Sequence, residues 1–266
     1  MPTSIFLTCT FAVGVMMVCT WLLSIPLRNV SIVDIGWGLG FVLIAWVSFS
    51  RSPYRPADVL ATDYVMPVLV TIWGCRLAGY LAWRNHGKPE DYRYQAMRDA
   101  RGPSFVWSSF LIVFVLQGVV MLIVSLPVQL AVTRSAVPYF YLVGAGVAVW
   151  AMGVFFETVG DWQLARFKAQ PENKGRVMNR GLWRLTRHPN YFGDFLVWWG
   201  LWLVSMGLSD RAATWWSVIS PALMSFLLIR VSGVALLEKS MKARSPEYVT
   251  YIEQTSAFIP WPPKKV

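Results

Sequence analysis

Charge is scarce in this 266-residue chain. Asp, Glu, Lys and Arg make up 14% of it, against about 25% in a soluble domain. That shortage, with 56% hydrophobic residues, excludes an ordinary soluble globular fold. Histidine is scarcer still: two in the whole chain argue against a His-based metal centre. The three cysteines, Cys9, Cys19 and Cys75, fall in apolar segments without metal-ligand spacing, and they read as small buried hydrophobes. No internal repeat, low-complexity tract or long linker is present, so residues 1–266 read as a single integral membrane domain. The first apolar segment lacks a basic leader and a clean cleavage site, so it reads as a retained helix rather than a signal peptide.

Long apolar runs are abundant. A membrane-spanning helix needs about 20 mainly apolar residues, and seven stretches qualify: Ser4–Leu27, Ser31–Phe49, Tyr64–Trp83, Phe105–Val132, Tyr139–Gly160, Tyr191–Leu208 and Ala213–Leu237. The 15 tryptophans suit aromatic belts at the membrane surfaces. Most lysines and arginines lie on alternate connections: Arg28, the loops 84–104 and 165–187, and the segment 239–266. The other side carries only Arg51, Arg55, Arg134 and Arg211. By the positive-inside rule this puts the N-terminus outside and the C-terminus in the cytoplasm. The expectation is an all-α, polytopic helical protein of about seven spans, in a bacterial-type inner membrane. Topology also accounts for the net charge of +10. The cations are split among short loops, which argues against nucleic-acid binding.

Ionisable residues inside spans are costly and mark candidate sites. Asp34 lies one turn into the second span, in a run with Gly36, Gly38 and Gly40 that would allow close helix packing. Arg76 lies midway along the third span, and a pair with Asp34 is the expected way to compensate both charges. Glu157 and Asp161 share a helix face, being four apart. They read either as a solvated helix end or as a carboxylate pair aimed into a polar cavity. Asp194, in the first turn of the sixth span, reads as a partner of the helix dipole or of Arg187. Arg230, in the last span, either snorkels or binds a ligand, with Glu238 two turns on. In the loop from Arg84 to Tyr94, an amphipathic helix over 91–101 is expected, either as a solvated loop or as a lid.

The densest polar run is Asn179-Arg180-Gly181-Leu182-Trp183-Arg184-Leu185-Thr186-Arg187-His188-Pro189-Asn190-Tyr191-Phe192-Gly193-Asp194, opening into a Trp-rich apolar helix. Arginines that fork onto phosphate or carboxylate, beside an amide and a carboxylate, suit a large anionic cofactor with hydroxyl groups. Glu157, Asp161, Lys168, Arg176, Arg187, Asn190, Asp194, Arg230 and Glu238 would then gather at one end of three helices as a polar chamber.

The Arg187–Asp194 run resembles the membrane superfamily that unites steroid 5-alpha-reductases, sterol reductases and isoprenylcysteine carboxyl methyltransferases. Together with Ser31-Ile32-Val33-Asp34, Trp73-Gly74-Cys75-Arg76-Leu77, Leu237–Met241 and Thr255–Pro263, it makes the chain most similar to the bacterial DUF1295 branch. The resemblance implies a cofactor-binding half over 140–266 and NADPH as cofactor. Asp161, Arg176, Asn190 and Arg230 match cofactor-contacting positions, and His188 and Tyr191 belong to the shared core. Asp194 stands where the reductases have glutamate, Lys168 replaces an arginine, and Glu238 falls where tyrosine is expected. Near the substrate the likeness weakens: Tyr80-Leu81 stands in place of a His-Tyr pair, and Asp34 is the nearest early acid.

The leading expectation is therefore an NADPH-dependent oxidoreductase acting on the activated C=C bond of a sterol-like or other lipid enone. Tyr80 is the candidate donor to the enone oxygen, supported by Asp34 or Arg76. The alternative is an S-adenosylmethionine-dependent membrane methyltransferase of the isoprenylcysteine carboxyl methyltransferase type, which shares the Arg-His-Pro-x-Tyr-x-Gly core. The number of cations from Arg166 to Arg187 favours a phosphorylated cofactor. A non-enzymatic lipid carrier or complex subunit is the third reading. The partners expected are a lipid-like small molecule and membrane lipids, with no nucleic acid and no metal.

Overall fold

A computed structural model describes residues 3–52, 61–133, 138–231 and 246–264. Every regular element in these segments is helical. In chain order they are α1 (Thr3–Leu27), α2 (Ile32–Ser50), a 3-10 turn (Ala61–Tyr64) leading into α3 (Val65–Asn85), and α4 (Tyr92–Arg101). Then come α5 (Phe105–Ser109), a π-helical stretch (Phe110–Val115), α6 (Leu116–Val124), α7 (Leu126–Leu130), α8 (Phe140–Lys168) and α9 (Pro189–Leu208). The chain continues through α10 (Arg211–Thr214), a 3-10 turn (Trp215–Val218), α11 (Ile219–Phe226), a second π-helical stretch (Leu227–Val231) and α12 (Pro246–Gln254).

Among the described residues seven helical stretches are long and apolar enough to cross a membrane: Thr3–Leu27, Ile32–Ser50, Ala61–Asn85, Tyr92–Val124, Phe140–Lys168, Pro189–Leu208 and Arg211–Val231. The chain is an all-α integral membrane protein. Each expected span overlaps one of these, with corrections at the ends; the fourth stretch takes in α4 and begins at Tyr92 rather than Phe105. The fourth ends at Val124 rather than running to Val132: Pro127 has no amide hydrogen to continue the ladder, and Ser125 stands at the break between α6 and α7. The fifth runs two turns further, to Lys168, so Glu157 and Asp161 sit well inside a helix instead of at its end. The sixth starts at Pro189, two residues early. The expected end of the last span, 232–237, lies outside the described residues.

The chain divides into two compact units, Met1–Phe140 with Ser205–Ser217, and Tyr141–Val204 with Val218–Val266.

In the first unit α2 and α3 meet at Gly38 and Gly74, where a methyl group on Gly74 would lie 2.5 Å from the Gly38 carbonyl oxygen. Lipid tails are as apolar as leucine, so association depends on such close packing rather than on hydrophobic burial. Of the glycines singled out around Asp34, Gly38 and Gly40 serve this purpose, and Gly36 faces open space. Phe41, Ile44, Met66, Trp73, Phe114 and Met121 fill the interior. Within the same unit the Ser209 hydroxyl donates to the Leu130 carbonyl at 2.8 Å, and the Tyr139 amide donates to the Gly207 carbonyl at 2.9 Å.

In the second unit α8 and α9 run antiparallel along a seam of small residues. Gly146 faces Gly200, Gly153 faces Gly193, and Gly160 faces Pro189. A methyl on Gly153 would come within 2.6 Å of the Gly193 carbonyl oxygen, and one on Gly146 within 2.7 Å of the Gly200 carbonyl oxygen. The seven-residue spacing of the α8 glycines keeps one face of the helix bare over four turns.

Candidate functional site

The seam fixes where the acidic side chains of α8 point. Glu157 and Asp161 are both buried, at 3% and 5% exposure. The stem of Glu157 packs over Gly193: a methyl there would lie 2.7 Å from the Glu157 Cγ. One turn along, the Asn190 amide donates to the Asp161 carboxylate at 3.3 Å. Two carboxylates on one helix face thus meet the opening of α9. Their burial rules out the reading of this pair as a solvated helix end.

Proline at the first position suits the start of α9, because an amide hydrogen there would lack a helical acceptor. The first helical bond runs from the Phe192 amide to the His188 carbonyl, 3.0 Å. The His188 ring is buried and stacked on Tyr191, with centroids 5.5 Å apart and planes within 5°. Asp194 is the sixth residue of α9, in its second turn. The dipole field falls off within the first turn, so the simple dipole-partner reading of Asp194 weakens.

The loop before α9 is tied to α8 by two contacts. The indole of Trp183 donates to the Gly160 carbonyl at 3.0 Å, and the Leu182 amide donates to the Gln163 side chain at 3.0 Å. Gly181 has φ 60, a backbone conformation that favours glycine, and a methyl there would have to displace the end of the Gln163 side chain.

Arg187 departs from expectation. Rather than pointing its whole fork at an anion, it sends Nη1 to the Ile252 carbonyl at 3.0 Å and to the Thr255 carbonyl. A buried cation there completes the carbonyl end of α12, where positive charge is favoured. The following segment docks along the same run. The Arg187 amide donates to the Ser256 carbonyl at 2.9 Å, the Thr186 hydroxyl to the Phe258 carbonyl at 2.9 Å, and the Trp261 amide to the Leu185 carbonyl at 2.9 Å. The Tyr251 hydroxyl donates to the Trp183 carbonyl, and Phe258 meets the rings of Phe192 and Phe195 edge-on. Gln163, Thr186, Tyr251 and Phe258 were not among the expected site residues. Thr186 and Phe258 lie within the Asn179–Asp194 and Thr255–Pro263 motifs, and Gln163 and Tyr251 carry no sequence signal of their own.

The remaining expected cofactor residues lie at the surface of this unit. Lys168 is exposed in the last turn of α8, and Arg176, Arg180 and Arg184 are exposed in the loop. Arg230 is exposed in the π-helical stretch Leu227–Val231, a widened helical form often found at functional sites. Glu238 lies outside the described residues.

The chain belongs to the DUF1295 family. The family model, "Protein of unknown function (DUF1295)", matches residues 20–255, a span that takes in both the α8–α9 seam and the docked segment's first residue. Among curated proteins and solved structures nothing matches.

The expected catalytic residues of this DUF1295 chain all belong to the first unit. Asp34 is not paired with Arg76. It accepts a hydrogen bond from Arg93 Nη2 at 3.1 Å and one from the Tyr94 hydroxyl at 2.8 Å, and Gln117 in turn donates to that hydroxyl at 3.0 Å. Asp91 caps α4 through the Arg93 amide at 3.0 Å and binds the Arg93 guanidinium at 2.9 Å. Burial works against ionisation of Asp91, but the hydrogen bonds from Arg93 outweigh it and hold the carboxyl below its ordinary range. Glu90 receives both Nε and Nη2 of Arg98, at 2.8 and 2.9 Å, and the Val30 amide at 2.6 Å. The amphipathic helix expected over 91–101 is present as α4, held to the start of α2 by this network. Tyr80 lies between the guanidiniums of Arg76 and Arg84, 5.6 and 5.7 Å from its ring centre. Among the described residues no group of three His, Cys, Asp or Glu side chains is placed to hold a metal ion.

Proposed function

We propose that this protein is a membrane-embedded reductase that uses NADPH to reduce the activated C=C bond of a lipid enone, sterol-like or otherwise. The observation that carries the reading is the contrast within the second unit. Two buried carboxylates, Glu157 and Asp161, stand beside Asn190, while Lys168, Arg176 and Arg230 lie exposed. Carboxylate and amide groups suit the hydroxyls of a ribose, and exposed guanidinium and ammonium groups suit phosphates. The donor set therefore fits a phosphorylated dinucleotide: Asp161 and Asn190 would hold ribose hydroxyls, and Arg176, Lys168 and Arg230 phosphates. NADPH would supply the hydride. Tyr80, between two guanidiniums, is the candidate donor to the substrate oxygen. The likeness to the steroid 5-alpha-reductase superfamily supports the same reading, as does an orientation with loop 165–187 in the cytoplasm of a bacterial cell, where the cofactor is made.

The second reading is an S-adenosylmethionine-dependent methyltransferase. Its cofactor also carries a ribose, so the Asp161–Asn190 pair suits it too. It carries no phosphate, and the exposed cations favour NADPH.

Energy transfer from tryptophan to NADPH in the detergent-purified protein distinguishes the two, with NADH and S-adenosylmethionine as competitors. Saturable transfer that is lost in Arg176→Ala and Asn190→Ala is the expected result. No transfer, with thermal stabilisation by S-adenosylmethionine instead, would overturn the reductase reading.

A further inference from the structure

A second polar feature lies in the first unit and plays no part in the proposed reaction. A cleft of about 460 Å³ opens between the end of α1 and the start of α5. Its wall is apolar, formed by Ile25, Pro26, Phe105 and Val106, and two cations, Arg28 and Arg98, also line it. Three observations at this cleft converge.

The first is backbone conformation. Arg28 has φ 48, and it is the one non-glycine residue with positive φ among the described residues. The Arg28 amide closes the end of α1 on the Ile25 carbonyl at 3.1 Å, and the Asn29 amide closes on the Ser24 carbonyl at 3.2 Å. A left-handed residue after a helix is ordinarily glycine or asparagine, because any other side chain crowds its own backbone. Arginine stands there, with asparagine next in line.

The second is charge. Arg98 binds Glu90 through Nε and Nη2 and lies over the Phe105 ring at 4.8 Å, which leaves its Nη1 donors unused by any described residue. Arg28 is exposed, and its guanidinium makes no hydrogen bond or ion pair with a described side chain. Glu90 balances only one of the two cations.

The third is position. The cleft sits where the first span ends, beside residues that face lipid: Leu23 is 56% and Trp107 71% exposed. A free anion has no use for an apolar wall, whereas an amphiphile needs both parts.

We propose that this cleft binds the headgroup phosphate of an anionic phospholipid, with Arg28 as its main ligand and Arg98 Nη1 as the second. The lipid's glycerol and upper chains lie on Ile25, Pro26 and Phe105. The strained backbone at Arg28 is held because it keeps the guanidinium at the mouth of the cleft.

Native mass spectrometry of the full chain in mild detergent tests this, with dioleoyl phosphatidylglycerol, dioleoyl phosphatidylcholine and inorganic phosphate titrated separately. Phosphatidylglycerol is expected to be retained in preference to phosphatidylcholine, and inorganic phosphate at the same concentration is expected not to displace it. Arg28→Gly suits the local backbone, so it should fold normally while weakening phosphatidylglycerol binding about fivefold, the contribution of one cation near an anionic surface. Arg28→Gln, which keeps most of the stem, should show the same loss. Arg101→Ala removes an exposed cation of α4 outside the cleft and should change nothing. Equal retention of the two lipids, or unchanged binding in both Arg28 variants, overturns the proposal. So does displacement by inorganic phosphate, or an equal loss in Arg101→Ala.

Discussion

Arg187 Nη1 lies 3.0 Å from the carbonyl oxygen of Ile252, sixty-five residues further along the chain. The densest polar run in the sequence is thus held in place by a backbone group, and one of its arginines is largely occupied with structure. Replacing Arg187 by alanine leaves the carbonyls of Ile252 and Thr255 without their donor. The expected cost is roughly 2–4 kcal/mol, read as a lower unfolding temperature in detergent. Arg176→Ala, on an exposed side chain, should leave that temperature unchanged, and equal effects of the two would remove the distinction drawn between them.

The glycine seam makes a sharper demand. A methyl on Gly193 would lie 2.5 Å from the Gly153 carbonyl oxygen and 2.7 Å from the Glu157 amide, so Gly193→Ala must push α8 and α9 apart. Overpacking of this kind costs about 1–3 kcal/mol, and it would also pull Asn190 from Asp161. Gly144, on the same helix, has nothing within 4 Å of its methyl position. Gly144→Ala should raise stability by roughly 0.5–1 kcal/mol. Thermal unfolding of the two variants side by side checks both signs.

Acid should loosen α4. The carboxyl of Asp91 is held below its ordinary range when folded, so its contribution is complete above the unfolded-state value. It is lost as pH falls through the lowered folded value. The wild-type protein should therefore lose stability at low pH, and Asp91→Asn should flatten that part of the profile. Hydrogen exchange of the 92–101 amides against pH is the direct measurement; identical profiles for the two proteins would count against the role given to Asp91.

Tyr80 and Tyr94 offer a contrast in kind. Tyr94 is 6% exposed and bonded to both Asp34 and Gln117. Tyr94→Phe should cost about 1 kcal/mol of stability, because two half-buried groups lose a hydrogen-bond partner. On the reductase reading, Tyr80→Phe should instead lower turnover far more than cofactor binding. Turnover unchanged in Tyr80→Phe would remove that residue from the chemistry.

The spans were legible in the sequence because a bilayer demands a window of about 20 apolar residues, and all seven stretches satisfy it. The burial of Glu157 and Asp161 was legible as one of two readings, since a spacing of four fixes a shared face but not what covers it. The partner of Asp34 was not legible. Compensation was sought in Arg76, the nearest charge within a span. The actual partners, Arg93 and Tyr94, come from the first turn of α4, about sixty residues on, and only tertiary packing brings them to α2. Docking of 255–261 was hidden for a different reason. Its acceptors are backbone carbonyls, which every residue carries, so no side-chain pattern announces them.

That docking also sets an order of events during synthesis. Arg187 leaves the ribosome sixty-eight residues before Thr255, whose carbonyl it must hold. Helices α8 and α9 can enter the bilayer and close their glycine seam well before then. The loop between them waits. A chain interrupted anywhere between 210 and 250 would lack the carbonyls that hold Arg187, leaving its most polar segment open to water and to proteases.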